Sequence, residues 1–222
     1  MFTNASTSSV QHVINHVREV VTSDMNDTLL VEFTHDEVKR ALFQMHPTKA
    51  LGPDGTDVSN AILDCINSGN ILHSINFSHI TLIPKRKNLE IMSHLQPISL
   101  CNVIFTKVLA NRLKLILGSI IYECQSAFVA NRMIIDNNLI SFETLHYMKS
   151  KCQGNTTHVA LKLDMSKAYD MVEWDYLKAL MLKMGFHQKW VDLIMVGVSS
   201  VSYSVLVNGA PSGFIKPSRG IR

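Results

Sequence analysis

Apolar residues recur along the first third of the chain at the spacing of helices. This spacing predicts a helix over residues 10–21 and two further helices with the following apolar faces: Val38, Ala41, Leu42 and Met45; Ala61, Ile62, Cys65 and Ile66. Thr34 and Glu37 have the spacing of a capping box, which predicts where the second helix begins. Gly69 is expected to end the third helix, because glycine accepts the left-handed conformation that closes many helices.

The later part of the chain alternates short strands with helices. Residues 77–84 and 202–207 are apolar runs of strand length, and Asn208–Gly209 predicts a hairpin turn to a return strand. A long periodic segment that starts at Pro97 predicts one helix ending at Gly118. Three further helices are predicted from these apolar faces: Ile135, Leu139, Phe142, Leu145 and Met148; Leu177, Leu180, Met181 and Met184; Trp190, Leu193, Ile194 and Val198.

The stretch from residue 159 to residue 174 has the pattern of a functional site. Val159–Leu163 alternates as a buried strand does, Asp164 follows where the strand ends, and Ser166–Ala168 turns the chain into an amphipathic helix. An acid at the end of a central strand is held rigidly at the edge of a sheet, where a metal ligand or a nucleophile is useful. The alternative is an ordinary turn or helix-capping aspartate.

Two other segments carry weaker signals. Lys85, Arg86 and Lys87 directly follow the strand predicted over residues 77–84. Three adjacent cations suit either a solvated turn or a loop that contacts the phosphates of a nucleotide or a template, and the pattern alone does not choose between them. Residues 47–55, which contain Gly-Pro-Asp-Gly, predict a turn or a plain connector.

Composition narrows the class of protein only partly. The chain has 222 residues, of which 46% are hydrophobic and 18% charged, so it can build a core of one domain or somewhat more. A formal net charge of +3 permits a nucleic-acid partner without requiring one. Four widely separated cysteines, no signal peptide and no apolar run of roughly 18 residues predict an intracellular protein of the nucleus or cytoplasm with no membrane partner.

Six segments, in order, resemble the reverse transcriptase of plant non-LTR (LINE-type) retrotransposons. They are HPTKALGPDG, ITLIPKRKN, QPISLCNVIFTKVLANRLK, QSAFVANRMIIDN, LKLDMSKAYDMVEW and SYSVLVNGAPSGFIKPSRGIR. The resemblance implies an α+β fold: the fingers and part of the palm of a right-hand polymerase, helix-rich with a small antiparallel palm sheet. It implies a fingers-like region over residues 34–157 and a partial palm over residues 158–222. Residues 1–33 precede these regions, and their composition and spacing predict a loose leader with a short helix.

The resemblance also implies an activity, RNA-directed DNA synthesis, with an RNA template, a DNA primer and deoxynucleoside triphosphates as partners. Asp164 matches the first catalytic aspartate of the palm, and it and the carbonyl of Met165 would be ligands of the two Mg²⁺ ions of the family enzyme. Tyr169 matches an aromatic residue that would clash with a 2′-hydroxyl and so select deoxynucleotides.

Several basic residues match the family's motifs as well. Lys85 matches a lysine of the fingers that would contact the triphosphate, and Arg132 matches a motif arginine expected near the nucleotide or the template. Arg86 and Lys87 would contact nucleic-acid phosphates. Arg219 and Arg222 lie in the lead-in to the next palm motif, and we expect them to approach the template or the nucleotide.

The chain departs from the family's pattern in ways that affect activity. Gln96 stands where the family usually has an arginine, and Asn131 stands where it usually has a glycine. The spacings from residue 55 to 69 and from 104 to 107 are shorter than usual. The Gln-Gly-Asp-Pro segment and the paired aspartates of the palm are expected beyond Arg222, so we expect a truncated fragment with little or no activity and weak or absent Mg²⁺ binding.

Three other interpretations are compatible with the sequence. The first is a non-catalytic nucleic-acid-binding remnant, in which Lys85, Arg86, Lys87 and Arg132 contact phosphates. The second is a translated relic that does not fold stably. The third is a hydrolase with Asp164 as its nucleophile; this is disfavoured because such enzymes usually need a second acid two residues later, where this chain has Ser166.

Overall fold

The computed structural model describes residues 7–44, 56–71, 76–88, 90–99, 103–150, 158–165 and 168–221. The predicted turn at 47–55 and Arg222 lie outside the described residues. The elements are α1 Thr7–Asn15, α2 Ser23–Leu30, α3 His35–Phe43, α4 Thr56–Ser68, β1 Phe77–Pro84, β2 Leu95–Ser99, α5 Val103–Ile120, α6 Ile134–Ser150, α7 Trp174–Lys183, α8 Gln188–Ser199, β3 Ser202–Val207 and β4 Ala210–Ile215, with short 3₁₀ turns at Met92–His94 and Ala168–Met171.

The chain divides into two compact units. The first unit comprises Met1–Arg112 and Tyr169–Arg222, and the second comprises Leu113–Ala168. The sheet belongs entirely to the first unit, whereas α6 and residues 158–165 belong to the second. Strand β1 lies in the predicted fingers-like region and strand β3 in the predicted palm region, and the two pair in one sheet. The division into fingers and palm stays a prediction.

The four strands form one mixed sheet in the order β2-β1-β3-β4. The outer pairs are antiparallel, but β1 and β3 are parallel, with Phe77 opposite Ser202 and Ile80 opposite Val205. The prediction of an antiparallel sheet is therefore wrong at this central pairing. Parallel neighbours require a long crossover connection, and the helices between the two strands supply it.

Strands β1 and β3 and the hairpin turn after β3 are confirmed at the predicted positions. Asn208 and Gly209 have φ values of 52° and 81°, the left-handed conformations that a tight two-residue hairpin turn requires. Strand β2 was not predicted. Pro97 lies inside it, opposite Leu82 on the sheet edge, instead of starting the long helix, and an edge strand is where a sheet tolerates proline.

The helix signals near the chain's start are largely confirmed. Thr34 Oγ1 accepts a hydrogen bond from the Glu37 amide at 3.3 Å, and the Glu37 carboxylate accepts one from the Thr34 amide at 3.0 Å, which completes the predicted capping box. Gly69 follows α4 with φ +67°, as expected for a helix end. The first helix, Thr7–Asn15, is shorter than the predicted 10–21.

The leader is more ordered than the sequence predicted. It carries a second helix, α2, whose first turn is capped by Thr22, and Val21 and Leu29 are buried in the core. The amides of Val20 and Val21 both donate to the Met184 carbonyl at 3.0 Å, so the leader is tied to the end of α7. These bonds join residues more than 150 positions apart, which explains why local patterns did not reveal them.

A buried guanidinium connects α5 to the segment between α2 and α3. Arg112, which is only 4% exposed, donates to both carboxylate oxygens of Glu37 at 2.8 and 2.9 Å. It also donates to the carbonyls of Leu29 and Glu32, each at 2.9 Å, and to that of Val31. One side chain thus satisfies a carbonyl in the last turn of α2, two carbonyls of the α2–α3 connection and a carboxylate in the first turn of α3.

This arrangement predicts a pH-dependent stability. The hydrogen bond from Arg112 holds the pKa of Glu37 below its ordinary value of 4.5. A lowered pKa in the folded state stabilises the fold above pH 4.5, and this contribution is lost as the pH falls through the folded-state pKa. In urea unfolding from pH 7 to pH 3, Glu37→Gln should be less stable than the unaltered chain at pH 7, and the difference should shrink on acidification. A pH-independent difference would contradict this prediction.

Candidate functional site

A cavity of about 520 Å³ lies on one face of the sheet in the first unit. All four strands contribute to it, and the segment after β4 and the 3₁₀ turn at Ala168–Met171 complete its wall. The lining residues are Ile80, Gln96, Pro97, Ile98, Ser99, Asp170, Val201, Tyr203, Ile215, Pro217, Arg219 and Gly220. This volume is in the range of small-molecule sites, which typically measure about 300–1,000 Å³.

The cavity combines an apolar floor with a few polar groups. Asp170 and Arg219 are half-buried and contribute one carboxylate and one guanidinium, while Gln96 adds an exposed amide at the rim. A mainly apolar pocket with few polar groups is the usual composition of a site that orients a small organic ligand. Gln96 and Arg219 were both singled out from the sequence. They are 123 positions apart in the chain, and the fold brings them to one cavity.

The 219–221 segment is fixed to the 3₁₀ turn by hydrogen bonds. The Gly220 amide donates to the Val172 carbonyl at 2.8 Å, and the Ile221 amide donates to the Tyr169 carbonyl at 3.0 Å. The Trp174 indole Nε1 donates to the Gly220 carbonyl at 2.7 Å. Gly220 has φ +93°, and a Cβ there would lie 3.3 Å from the Asp170 carbonyl oxygen, so the close approach favours glycine.

Tyr169 lies in the 3₁₀ turn next to Asp170 and is 52% exposed. Its backbone carbonyl is occupied by the Ile221 amide, whereas its side chain is open to solvent. The predicted contact of the ring with a sugar stays a prediction. The geometry adds that Tyr169 and Arg219 belong to two segments joined by hydrogen bonds.

The basic run forms the turn that leads from β1 towards β2. Lys85, Arg86 and Lys87 are all exposed, and the Lys85 amide donates to the His94 carbonyl at 2.8 Å, which closes the turn. Nothing in this geometry distinguishes a solvated turn from a phosphate-binding loop. The exposure of the three cations is compatible with either function.

Arg132 lies in the second unit, where its guanidinium caps the end of α5. Nη1 donates to the carbonyls of Tyr122 and Gln125 at 2.7 and 2.9 Å, and Nη2 donates to those of Gly118 and Ile121 at 3.0 and 3.2 Å. The last carbonyls of a helix have no partner within it, and a cation near them is favourable. These contacts explain the arginine without a ligand, and its predicted nucleotide or template contact stays a prediction.

The strand predicted over Val159–Leu163 is wrong. Residues 158–165 are irregular, and the apolar side chains that were expected to be buried on one face are 79–85% exposed at Val159, Leu161 and Leu163. A strand is stable only where a neighbouring strand pairs with its backbone, and the described sheet consists of β2, β1, β3 and β4, without this segment. Asp164 is therefore exposed on an irregular segment and not held at a sheet edge.

The described residues do not assemble a site for Mg²⁺. Asp164 and Met165 are both exposed, and no group of three or more His, Cys, Asp or Glu side chains within the described ranges has the geometry to hold a metal ion. Mg²⁺ takes about six oxygen ligands, typically one or two carboxylates completed by waters and substrate phosphates. Asp164 offers one exposed carboxylate on an irregular segment, and its role as a Mg²⁺ ligand stays a prediction.

Three residues of the site were not recognised in the sequence: Asp170, Trp174 and Gly220. Asp170 directly follows the predicted Tyr169, and Gly220 directly follows the predicted Arg219. A glycine beside a charged residue after a strand is a signal for close backbone approach. The partner that approaches it, the 3₁₀ turn, is about 50 residues earlier in the chain and cannot be read from local patterns.

Comparison with known proteins identifies the class of protein that carries this cavity. The family model "Reverse transcriptase (RNA-dependent DNA polymerase)" matches residues 83–221, and because this is more than half of the chain, the chain belongs to the reverse transcriptase family. The chain is similar to the "Transposon TX1 uncharacterized 149 kDa protein" of Xenopus laevis, with 26% identity over 220 residues. The alignment covers 91% of this chain but only 17% of the frog protein.

None of the helices that the structure describes combines the length and the apolar character needed to cross a lipid bilayer.

Proposed function

We propose that the chain forms part of the RNA-directed DNA polymerase of a LINE-type (non-LTR) retrotransposon. Its partners are an RNA template and a DNA primer, and its substrates are deoxynucleoside triphosphates. The similar frog protein supports a transposon context, since it is named as a protein of transposon TX1. The plant lineage and the nuclear or cytoplasmic location predicted from the sequence remain part of this proposal.

One observation carries the proposal. The region that matches the reverse transcriptase family, residues 83–221, supplies every lining residue of the cavity except Ile80. It also contains the turn with Lys85, Arg86 and Lys87. Nearly the whole lining of this cavity, with its strand residues, its carboxylate and its guanidinium, therefore lies within the region of the family match.

In this proposal the cavity receives the incoming deoxynucleoside triphosphate. The apolar floor accommodates the base and the sugar, and the exposed ring of Tyr169 next to Asp170 limits the space at the sugar's 2′ position. Arg219 supplies a guanidinium for the phosphates, which arginine can bind through two parallel N–H···O hydrogen bonds. Gln96 at the rim supplies an amide where the family usually has an arginine, so we expect weaker triphosphate binding than in family members with arginine.

The basic turn is assigned to nucleic-acid binding. We propose that the β1–β2 hairpin belongs to the fingers of a right-hand polymerase, and that the 3₁₀ turn and the β3–β4 hairpin belong to its palm. Exposed cations on a hairpin turn contact phosphates without reading sequence. We therefore propose that Lys85, Arg86 and Lys87 contact the template–primer backbone.

A second candidate function is supported by the absence of a metal cluster from the described residues. Asp164 is an exposed carboxylate outside any described cluster of metal-ligating side chains, whereas the three cations of the basic turn are all exposed. In this second candidate function, the chain alone binds nucleic acid without catalysing synthesis. In both candidates, binding to an RNA–DNA hybrid depends on the same basic turn, and they differ only in polymerase activity.

Binding to a labelled RNA–DNA hybrid should depend strongly on salt. Each phosphate contact contributes about 0.7–0.9 to the slope of log K against log [salt]. The combined change Lys85→Ala, Arg86→Ala and Lys87→Ala should reduce that slope by about 2 and weaken binding at low salt. Fluorescence anisotropy at several NaCl concentrations measures both quantities.

The matched control combines Arg18→Ala, Lys39→Ala and Arg40→Ala and removes the same charge from three exposed positions. Arg18 lies between α1 and α2, and Lys39 and Arg40 lie on α3. The control variant should keep the salt slope of the unaltered chain, because that slope depends on the cations that contact phosphates and not on the net charge of the protein. Equal slopes for the two triple variants would contradict the assignment of the basic turn. Absence of hybrid binding by the unaltered chain at low salt would overturn the proposed function.

A further inference from the structure

Both backbone groups of Gly220 are fastened to the stretch from the 3₁₀ turn to the start of α7. Its amide donates to the Val172 carbonyl, and its carbonyl accepts the indole N–H of Trp174 at 2.7 Å. The flanking residues are tied as well, since Ile221 donates to Tyr169 and Arg219 forms an isolated antiparallel bridge with Glu173. The 219–221 segment thus runs antiparallel to residues 169–173 over a short length.

Among these contacts the Trp174 hydrogen bond is the one made by a side chain. Trp174 is the first residue of α7 and is half-buried, so its ring is held by a helix that packs on α8. Gly220 itself has little conformational restriction, because glycine populates positive and negative φ about equally. An indole donor on a packed helix restricts the glycine to the conformation with φ +93°.

We infer that Trp174 is a positioning residue: by holding the Gly220 carbonyl, it fixes Arg219 relative to Tyr169. The inference rests on the proposed function, in which these two residues meet the phosphates and the sugar of a deoxynucleoside triphosphate. Tyr169 is linked to the same segment through its carbonyl, so a displaced 219–221 segment changes the distance between the two groups. Discrimination between deoxyribose and ribose depends on that distance.

Trp190 offers a matched control. It is fully buried, and its Nε1 has no hydrogen-bond partner within the described residues, so Trp190→Phe removes ring volume but no hydrogen bond. Trp174→Phe removes the hydrogen bond to Gly220 and retains an aromatic ring. Replacing Trp174 by β-(3-benzothienyl)alanine keeps the bicyclic shape and lacks only the N–H, which covers the case in which Trp174→Phe does not fold.

The first readout is amide hydrogen exchange of the folded chain at Gly220 and Ile221. Both Trp174 variants should exchange about 5- to 10-fold faster at these two amides than the unaltered chain, the size expected for one lost hydrogen bond. Trp190→Phe should leave the exchange rates of the Gly220 and Ile221 amides unchanged, once any change in the global free energy of unfolding is taken into account. Unchanged exchange in the benzothienylalanine variant would overturn the inference.

The second readout is the ratio of the dissociation constants for dATP and ATP, measured by calorimetric titration. The unaltered chain and Trp190→Phe should prefer dATP, and the Trp174 variants should lose at least half of that preference. Faster exchange with an unchanged ratio would make Trp174 merely structural and overturn the inference. If the unaltered chain binds neither nucleotide, the proposed function fails, and the inference falls with it whatever the exchange rates show.

Discussion

Replacing Arg112 by methionine is expected to lower the free energy of unfolding by about 3–5 kcal/mol, as is typical when one partner of a buried ion pair is removed. The side chain is 4% exposed and makes five hydrogen bonds. Its loss leaves the Glu37 carboxylate without its cation and three backbone carbonyls without donors. Its guanidinium carbon also lies 3.5 Å from the centre of the Phe33 ring, and that contact is lost too.

Urea unfolding followed by circular dichroism measures this effect. Arg40→Met is the control, because Arg40 is an exposed residue of α3 and its replacement should change the stability by no more than about 0.5 kcal/mol. Arg112→Lys should lie between the two, since a lysine keeps the charge but not the planar fork that reaches several acceptors. A loss below about 1 kcal/mol for Arg112→Met would contradict the role assigned to this residue.

The elements that the sequence predicted correctly are those specified by neighbouring residues. The capping box needs only Thr34 and Glu37, and the β3–β4 turn needs only Asn208 and Gly209. Each signal lies within four residues, so the physical cause and the structure are both local. The strand limits of β1 agree for the same reason, because a segment rich in apolar residues, with Ile80, Leu82 and Ile83, ends at Pro84 and the basic turn.

The elements that the sequence missed depend on distant partners. The parallel pairing of β1 with β3 joins residues about 125 positions apart, and the leader is ordered by the Met184 carbonyl. The opposite error occurred at Val159–Leu163, where an alternating pattern predicted a strand that has no neighbour in the described sheet. Alternation states which residues suit a strand, but pairing decides whether one forms.

The candidate site shows the same division. Tyr169, Gln96 and Arg219 were identified from motifs, but the cavity and the bond from Trp174 to Gly220 became visible only with the fold. Asn131 illustrates a substitution that the fold explains. It has φ +63°, a conformation that favours the glycine usual at this position of the family, and asparagine is the residue that best tolerates it after glycine.

Polymerase activity is expected to depend on carboxylates that the described residues do not assemble. Transfer of a nucleotidyl group by two metal ions relies on charge neutralisation by several oxygen ligands. Asp164 offers one carboxylate on an exposed, irregular segment. We therefore expect no measurable synthesis by the 222-residue chain alone, and synthesis only when further carboxylates complete the site around Asp164.

Primer extension on an RNA template, with Mg²⁺ and deoxynucleoside triphosphates, tests this claim most directly. Three proteins are compared: the chain alone, the chain joined to the paired-aspartate segment of an active reverse transcriptase, and the same fusion with Asp164→Asn. We expect extension by the fusion only, with Asp164→Asn at least about 100-fold slower. Robust extension by the chain alone, or undiminished extension by the Asp164→Asn fusion, would contradict the expectation that Asp164 is a metal ligand that needs further carboxylates.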